Sequence, residues 1–528
     1  MNDLQSNDVQ SASAAVGRCG AARSAHRPFS VMGALAHRLL FSALFSTLLC
    51  ACTFGPDGHT IAPQPAHYGV EPLPAQTDTA QGVAQHFALG ARPVPQWWRA
   101  YGSAALDALV EEALRNNYDL TATTHTLAAA HEQLRAQIGE SLLPSVDLGG
   151  QASRQRAIGE PVAGQSSFLY NLFDAQVSTQ YTFDVFGAAR FADTALAAQI
   201  DAQSYQRDAA RRVLAANVVT TALNAALLHE QIATTERLLI LSETDAAQSQ
   251  RRYQLGANSR DDSLNLAAAS QTLRASLPGL RTQWLAQRHA LVVLTGRTPD
   301  AAPEDLDLSG VSVPDPVPVA IPSELLKQRP DILAADALVK ANAAGVAVAT
   351  AQMFPSLSLS AAYGQGGFTW LAATGGAGAL WNAGVSLSQP LFHGGALRAR
   401  RRAAEESYQA AVANYQQTVL NAFQNVADAL SALTHDAQTL DAAAMAAQHD
   451  GQVWRDAEQR AALGAIALDS VRASERQYQN ARLGEIRARG ARLVDTAVLF
   501  QAMGVPAVGN HADVAHAASA AASTSSRD

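Results

Sequence analysis

Few stretches of this chain place reactive side chains at a spacing that chemistry could use. His393-Gly394-Gly395-Ala396 has the composition of a loop that offers backbone N–H groups to an oxyanion. No G-x-S-x-G elbow exists in the chain to supply a nucleophile, so the segment reads as a break between a strand and the next helix. His125 and His131 are six residues apart, and His131-Glu132 lacks the second histidine of H-E-x-x-H; both read as helix-surface residues. Gly364-Gln365-Gly366-Gly367 reads as a flexible loop and not a phosphate cradle, because no helix start follows it. The cysteines are Cys19, Cys50 and Cys52, all near the N-terminus, so the body of the chain has neither a disulfide nor a Cys-based metal site. The sequence predicts no catalytic residue, no cofactor and no metal.

Cys52 is the exception. Residues 32–52 carry a basic patch (His37, Arg38), an apolar core at 39–49 and then small residues, the pattern of a secretory signal. Both Met1 and Met32 are candidate starts, and Met32 gives the more ordinary signal length. The end of the segment, Leu49-Cys50-Ala51-Cys52, resembles a bacterial lipobox, with Leu at −3, Ala at −1 and Cys52 as the residue to be lipidated. Cys50 fits worse, since Leu49 would stand at −1; an ordinary signal with incidental cysteines is the plainer alternative. Acyl chains contribute about 0.8 kcal/mol per buried CH₂, so two or three would anchor the chain firmly. By the same resemblance, Thr53 at +2, where Asp would favour the inner membrane, points to the outer membrane.

The rest of the chain is organised around 329–364, where the period changes. From Ile332 to about Gln352 the segment is Ala-rich and helical; from Ser356 it alternates, with Leu357, Leu359, Ala361 and Tyr363 on one side, and Pro355 marks the break. The same device occurs at Pro144, before Val146 and Leu148. Two later landmarks repeat at one spacing: Gly187 answers Gly395 (395 − 187 = 208), and Leu255-Gly256-Ala257 answers Leu463-Gly464-Ala465 (463 − 255 = 208). An internal duplication follows. Two more alternating strands are expected at 171–183 and 380–391, with residues 154–169 as a loop. Long helices run from Arg190 to about Tyr253 and through Val419 to Leu440, with apolar residues at coiled-coil steps of four and three. Each turns at Leu-Gly-Ala into a return helix, at about 260–296 and 467–503; Pro278 should kink the first. Trp97-Trp98 reads as packing ahead of an amphipathic helix marked by Leu106, Leu109 and Val110.

The organisation predicted is thus an N-terminal extension and lipoprotein signal (1–52), a Pro-rich tether (53–95), a first repeat (96–300), a connector (301–322), a second repeat (323–503) and a disordered tail (504–528). Charged residues are 16% and hydrophobic ones 48%, an Ala-rich helical composition that is too apolar for a disordered chain. The net charge of −8, without a basic stripe interleaved with aromatics, argues against nucleic acid. Outside the N-terminal segment, no run reaches the roughly 18 apolar residues of a membrane-spanning helix.

Four strands, each with one apolar and one polar face, suit a transmembrane β-barrel, although such strands also occur in soluble half-buried sheets. Four cannot close on themselves, because open edges leave backbone groups unpaired in lipid. Three copies would give twelve strands. Tyr181, Phe183, Tyr363 and Trp381 are the candidate girdle aromatics.

At CTFGP (52–56), WWRAYGSAALDALVEEALRNNYDL (97–120), FDVFGAAR (183–190), RRYQLGANS (251–259), IPSELLKQRPDI (321–332) and QMFPSLSLSAAYG (352–364), the chain resembles the TolC-like outer membrane factors, in their lipoprotein branch paired with RND pumps. The resemblance implies a mainly α fold with a small β part. It implies a homotrimer whose twelve-stranded barrel continues into a periplasmic α-helical barrel. The function implied is that of a passive exit duct for drugs or other small solutes, served by a periplasmic adaptor and an inner-membrane RND pump. It further implies adaptor contact at two helical tips, Leu255-Gly256-Ala257-Asn258-Ser259 and Leu463-Gly464-Ala465-Ile466, and a pore gate near the second. Leu468, Asp469 and Arg472 are the gate candidates; Arg472 stands where the family tends to have an acid. A protein-secretion duct of the same family and a pore-less coiled-coil lipoprotein are the alternatives.

Overall fold

The computed structural model describes residues 55–504, apart from 64, 66, 71, 93, 159–166, 376 and 377. Cys52, the signal segment and the tail beyond Gly504 lie outside the described residues.

A three-residue strand, β1 (Phe87–Leu89), precedes the first helices, α1 (Ala104–Asn116) and α2 (Tyr118–Leu142). Side chains cap both: Ser103 accepts from Leu106 N at 3.3 Å and Asn117 from Leu120 N at 3.0 Å. The chain then runs through β2 (Ser145–Ile158), β3 (Ser167–Phe183), the long helix α3 (Ala188–Gln254) and its return α4 (Arg260–Leu294). After a connector containing β4 (Val317–Val319) the order repeats: α5 (Pro322–Gln328), α6 (Pro330–Ala351), β5 (Ser356–Gly367), the short α7 (Trp370–Thr374), β6 (Ala379–Ser388), α8 (Ala396–Ala462) and α9 (Leu468–Met503).

The two copies agree closely. Helices α3 and α8 each have 67 residues, roughly 100 Å at 1.5 Å per residue. Each starts after a left-handed glycine, Gly187 (φ 78°) or Gly395 (φ 81°). Helix α4 passes through Pro278 as one continuous helix from Arg260 to Leu294. Antiparallel hairpins form between α3 and α4 and between α8 and α9, and α3 also packs on α6 and α9.

The main core lies in the middle of the helical body. Trp97, Trp98 and Tyr101 sit in it, with Trp97 stacked on Phe500 at 5.2 Å. It also includes Val218 and Leu223 of α3, Val426 and Leu433 of α8, and Leu493 and Leu499 of α9. Helices α3 and α6 each contain an 18-residue window apolar enough to cross a membrane by length and composition. This departs from the sequence expectation, but about half of each window is buried inside the protein, as expected of packed helices.

Two further expectations need correction. Residues 154–158 are not loop: β2 runs on to Ile158, pairing Arg154 with Asn171 and Arg156 with Leu169, and β3 starts at Ser167. Nor is the Pro-rich segment a free tether. β1 pairs in parallel with β4, and Tyr68 Oη donates to Ala320 O at 2.6 Å. The guanidinium of Arg492, 1% exposed, donates to Gln85 Oε1 (3.0 Å), Val83 O (3.1 Å), Ala80 O (3.4 Å) and Thr77 Oγ1 (3.4 Å). Gln85 in turn donates to Pro314 O and Thr496 Oγ1, both at 3.2 Å. A buried cation thus clasps the segment onto α9.

Candidate functional site

One antiparallel sheet unites the two repeats, in the order β2-β3-β5-β6. Its register aligns four separate alternations. Leu148 pairs with Val177, Val177 with Tyr363, and Tyr363 with Trp381; Phe183 pairs with Leu357, and Leu357 with Leu387. Since partners across a ladder share a face, every apolar set lands on the same side. Ser145, Asp147, Gln176, Ser178, Gln180, Ser358, Ser360 and Ser386 fall on the other. The apolar face is bare in the single chain: Leu148 is 80% exposed, Trp381 75%, Leu387 71% and Tyr363 64%. Among the described residues, strands β2 and β6 each have one unpaired edge.

From Phe183 to Phe173, ten steps along β3 (183 − 173) cover about 34 Å. Tilted by about 40°, they rise about 26 Å, close to the apolar band of about 25 Å in outer-membrane barrels. Tyr181 and Phe183 meet edge to face at 4.8 Å at the end next to the helices. Tyr363 and Trp381 are register partners about two-thirds of the way along. The far end has aromatics that the sequence reading missed: Phe173 against Trp370 at 6.0 Å on the apolar face, and Tyr170 against Phe368 at 5.6 Å on the polar one. Arg154 and Arg156 close that end on the apolar face.

At the opposite pole, each helical hairpin turns on a left-handed glycine, Gly256 or Gly464, both at φ 73°. Ala257 N donates to Arg252 O at 2.8 Å and Ala465 N to Arg460 O at 2.9 Å, completing matched C-caps. Leu255 and Leu463 project outward, 82% and 84% exposed. Ser259 caps α4 by accepting from Asp262 N at 3.0 Å, whereas Ala467 gives α9 no side-chain cap.

Next to the tips, α3 and α9 are joined by a ladder of charges. Arg237 donates to Glu475 at 2.6 Å, Arg472 and Arg476 both to Asp245 (2.6 Å from Arg472), and Arg252 to Asp469. Arg472 also reaches Asp469 and Gln248. The predicted Asp469 and Arg472 are therefore together, while Leu468 is 68% exposed and outside the network. Burial alone would raise the Asp469 carboxyl; the guanidiniums of Arg252 and Arg472 outweigh it and hold the group below the ordinary carboxylate value. Asp245, Arg476 and Glu475 were not foreseen, because on a polar helix a charge looks like a solvated face.

His125 and His393 are exposed and His131 is half-buried. Among the described residues no group of three or more His, Cys, Asp and Glu could hold a metal ion. Gly364-Gln365-Gly366-Gly367 is the end of β5, with Gly364 paired to Gln176, and not a loop.

The fold, a small sheet hanging from four long helices, is that of a channel. Residues 109–297 and 321–505 match the outer membrane efflux protein family, and the chain belongs to that family. The pyoverdine export outer membrane protein OpmQ of Pseudomonas putida is 29% identical over 452 residues, 84% of this chain and 93% of OpmQ. The outer membrane protein OprJ of Pseudomonas aeruginosa is 30% identical over 365 residues, 68% of this chain and 76% of OprJ. The open-state MtrE outer membrane channel of Neisseria gonorrhoeae superposes with a TM-score of 0.69 at 25% identity, covering 85% of this chain and 98% of that one. The protein is an outer membrane efflux channel.

Proposed function

We propose that three copies of this chain close a twelve-stranded barrel across the outer membrane, continued into the periplasm by the helices. One observation carries this: an apolar face built from all four strands belongs to a sheet with two open edges. In lipid each unpaired backbone group costs several kcal/mol, so β6 of one chain must pair with β2 of the next. Tyr181 and Phe183 then form the periplasmic girdle, and Phe173 with Trp370, beyond Tyr363 and Trp381, the outer one.

The duct is passive and not an enzyme. An inner-membrane RND pump supplies the energy, and a periplasmic adaptor docks on the tips at 255–259 and 463–466. Acyl chains on Cys52 add a second hold on the membrane. The charge ladder around Asp469 and Arg472 holds α9 against α3 and keeps the tip narrow. Small solutes are the cargo; the relative OpmQ is named for pyoverdine export.

Purified full-length protein in a planar bilayer tests the proposal. Discrete current steps and a chemically cross-linked trimer are expected. A water-soluble monomer that conducts nothing would overturn it.

A further inference from the structure

The two repeats differ where a strand gives way to a long helix. In the first, Asp184 bonds the N–H groups of Ala189 (3.1 Å) and Arg190 (3.0 Å) and pairs with the Arg190 guanidinium at 3.6 Å. The offset of 208 puts Phe392 at the position of Asp184 and Arg398 at that of Arg190 (398 − 190). The second copy has thus exchanged its acid for an apolar ring and gained guanidiniums: Arg400, Arg401 and Arg402 stand where the first has Ala192, Asp193 and Thr194. Its first helical turn contains no acid. Arg401 pairs with Glu405 at 2.9 Å, while Arg398 and Arg402 have no carboxylate partner among the described residues.

At 100° per residue, Arg398, Arg401 and Arg402 share an arc of about 100° and about 6 Å of helix axis, with Arg400 on the far side. Arg400 lines an open cleft of about 880 Å³ with Ser145, Gln180, Ser356 and Ser388 of the sheet's polar face. Arg398 and Arg402, each about 160° from Arg400 around the helix, therefore face away from that cleft, with Arg401 at its rim. Phe392, 86% exposed, stands between them and the end of β6, whereas Leu391 lines the cleft with Arg400.

We propose that Arg398 and Arg402, with Arg401 between them, bind the phosphate headgroup of an anionic glycerophospholipid in the leaflet next to the helices, with its acyl chains against Phe392. Planar guanidiniums match phosphate oxygens, and the exposed Phe392 ring beside them favours a lipid over a free anion. The site rests on the membrane-spanning role of the sheet proposed above.

The test uses the full-length protein in vesicles of phosphatidylcholine with or without phosphatidylglycerol, and native mass spectrometry of the lipid retained on extraction. Phosphatidylglycerol should be retained in preference to phosphatidylcholine. Retention should fall about fivefold for each of Arg398→Gln and Arg402→Gln. Phe392→Asp, which restores the acid of the first repeat, should abolish the preference while leaving the fold intact. Equal retention of the two lipids by inserted wild-type protein overturns the site and leaves the barrel standing, as does complete displacement of the lipid by inorganic phosphate at matched ionic strength. Failure to insert into either vesicle overturns the membrane-spanning sheet, and the site with it.

Discussion

Replacing Asp245 by alanine should open the helical tip far more than replacing Asp469. Asp245 is 11% exposed and accepts from Arg472 and Arg476, whose side chains are 15% and 32% exposed. Charge-assisted hydrogen bonds of this kind contribute about 1.5–3 kcal/mol, and the partial exposure of Arg476 argues for about 2 kcal/mol in total. Asp469 is 35% exposed and its partner Arg252 55%, so its contribution is that of a surface pair, about 0.5 kcal/mol. If three chains open together, the shifts become about 6 and about 1.5 kcal/mol. At about 1.4 kcal/mol per factor of ten, Asp469→Ala raises the open-to-closed ratio about tenfold and Asp245→Ala about 10⁴-fold.

Single-channel recording in planar bilayers reads both effects. The Debye length falls from about 8 Å at 0.15 M salt to about 3 Å at 1 M, so high salt should mimic Asp469→Ala but not Asp245→Ala. Acid adds a further arm. Asp469 is held below its ordinary value of 3.8, so its contribution is complete above that value and lost only as pH falls through the depressed one. Open probability should therefore be flat from about pH 5 to 8. An intact Asp245→Ala trimer with wild-type open probability would refute the idea that this ladder holds the tip.

Desolvation, then a hydrogen bond to Asp495, pushes Asp436 up to about 7 from 3.8, so the folded protein keeps a proton there that the unfolded chain has lost, and stability falls as pH rises between these values. Asp436→Asn should accordingly raise Tm at pH 8 and leave it nearly unchanged at pH 4, as followed by circular dichroism. A Cβ on Gly490 would meet Leu227 Cδ1 at 2.5 Å, so Gly490→Ala should destabilise by about 1–3 kcal/mol and Leu227→Ala should partly relieve the clash in the double variant; additive losses would contradict this. Arg492→Ala strands the carbonyl of Val83 and the side chain of Gln85, and should cost about 3 kcal/mol while making residues 55–90 the first target of limited proteolysis.

What the sequence disclosed and what it withheld divide along range. Alternation at 171–183 and at 356–363 is local, and a one-residue slip would move a whole apolar set to the wrong face, so patterning alone predicted which residues share a side. The duplication extended that reach: the Leu-Gly-Ala turns could be matched 208 residues apart (463 − 255) because each needs a left-handed glycine. Arg154 and Arg156 hid the end of β2, since two arginines in an alternating run look like loop, although at the end of an apolar band they are where a strand can meet polar headgroups. Arg492 and Gln85, 407 residues apart, were beyond any periodic signal. An arginine on a polar helix and a Pro-rich segment each read as solvated, and burial becomes tolerable only once each satisfies the other's polar groups. The charge ladder follows the same logic: Asp245 has meaning only opposite Arg472, and no helical period specifies which face of α3 will meet α9. Residues that pair across the helices thus escape single-sequence patterning, while the repeat makes one exception visible. Where the copies differ, as at Asp184 and Phe392, the first copy shows what the fold requires, and the departure in the second marks what something outside the chain must satisfy.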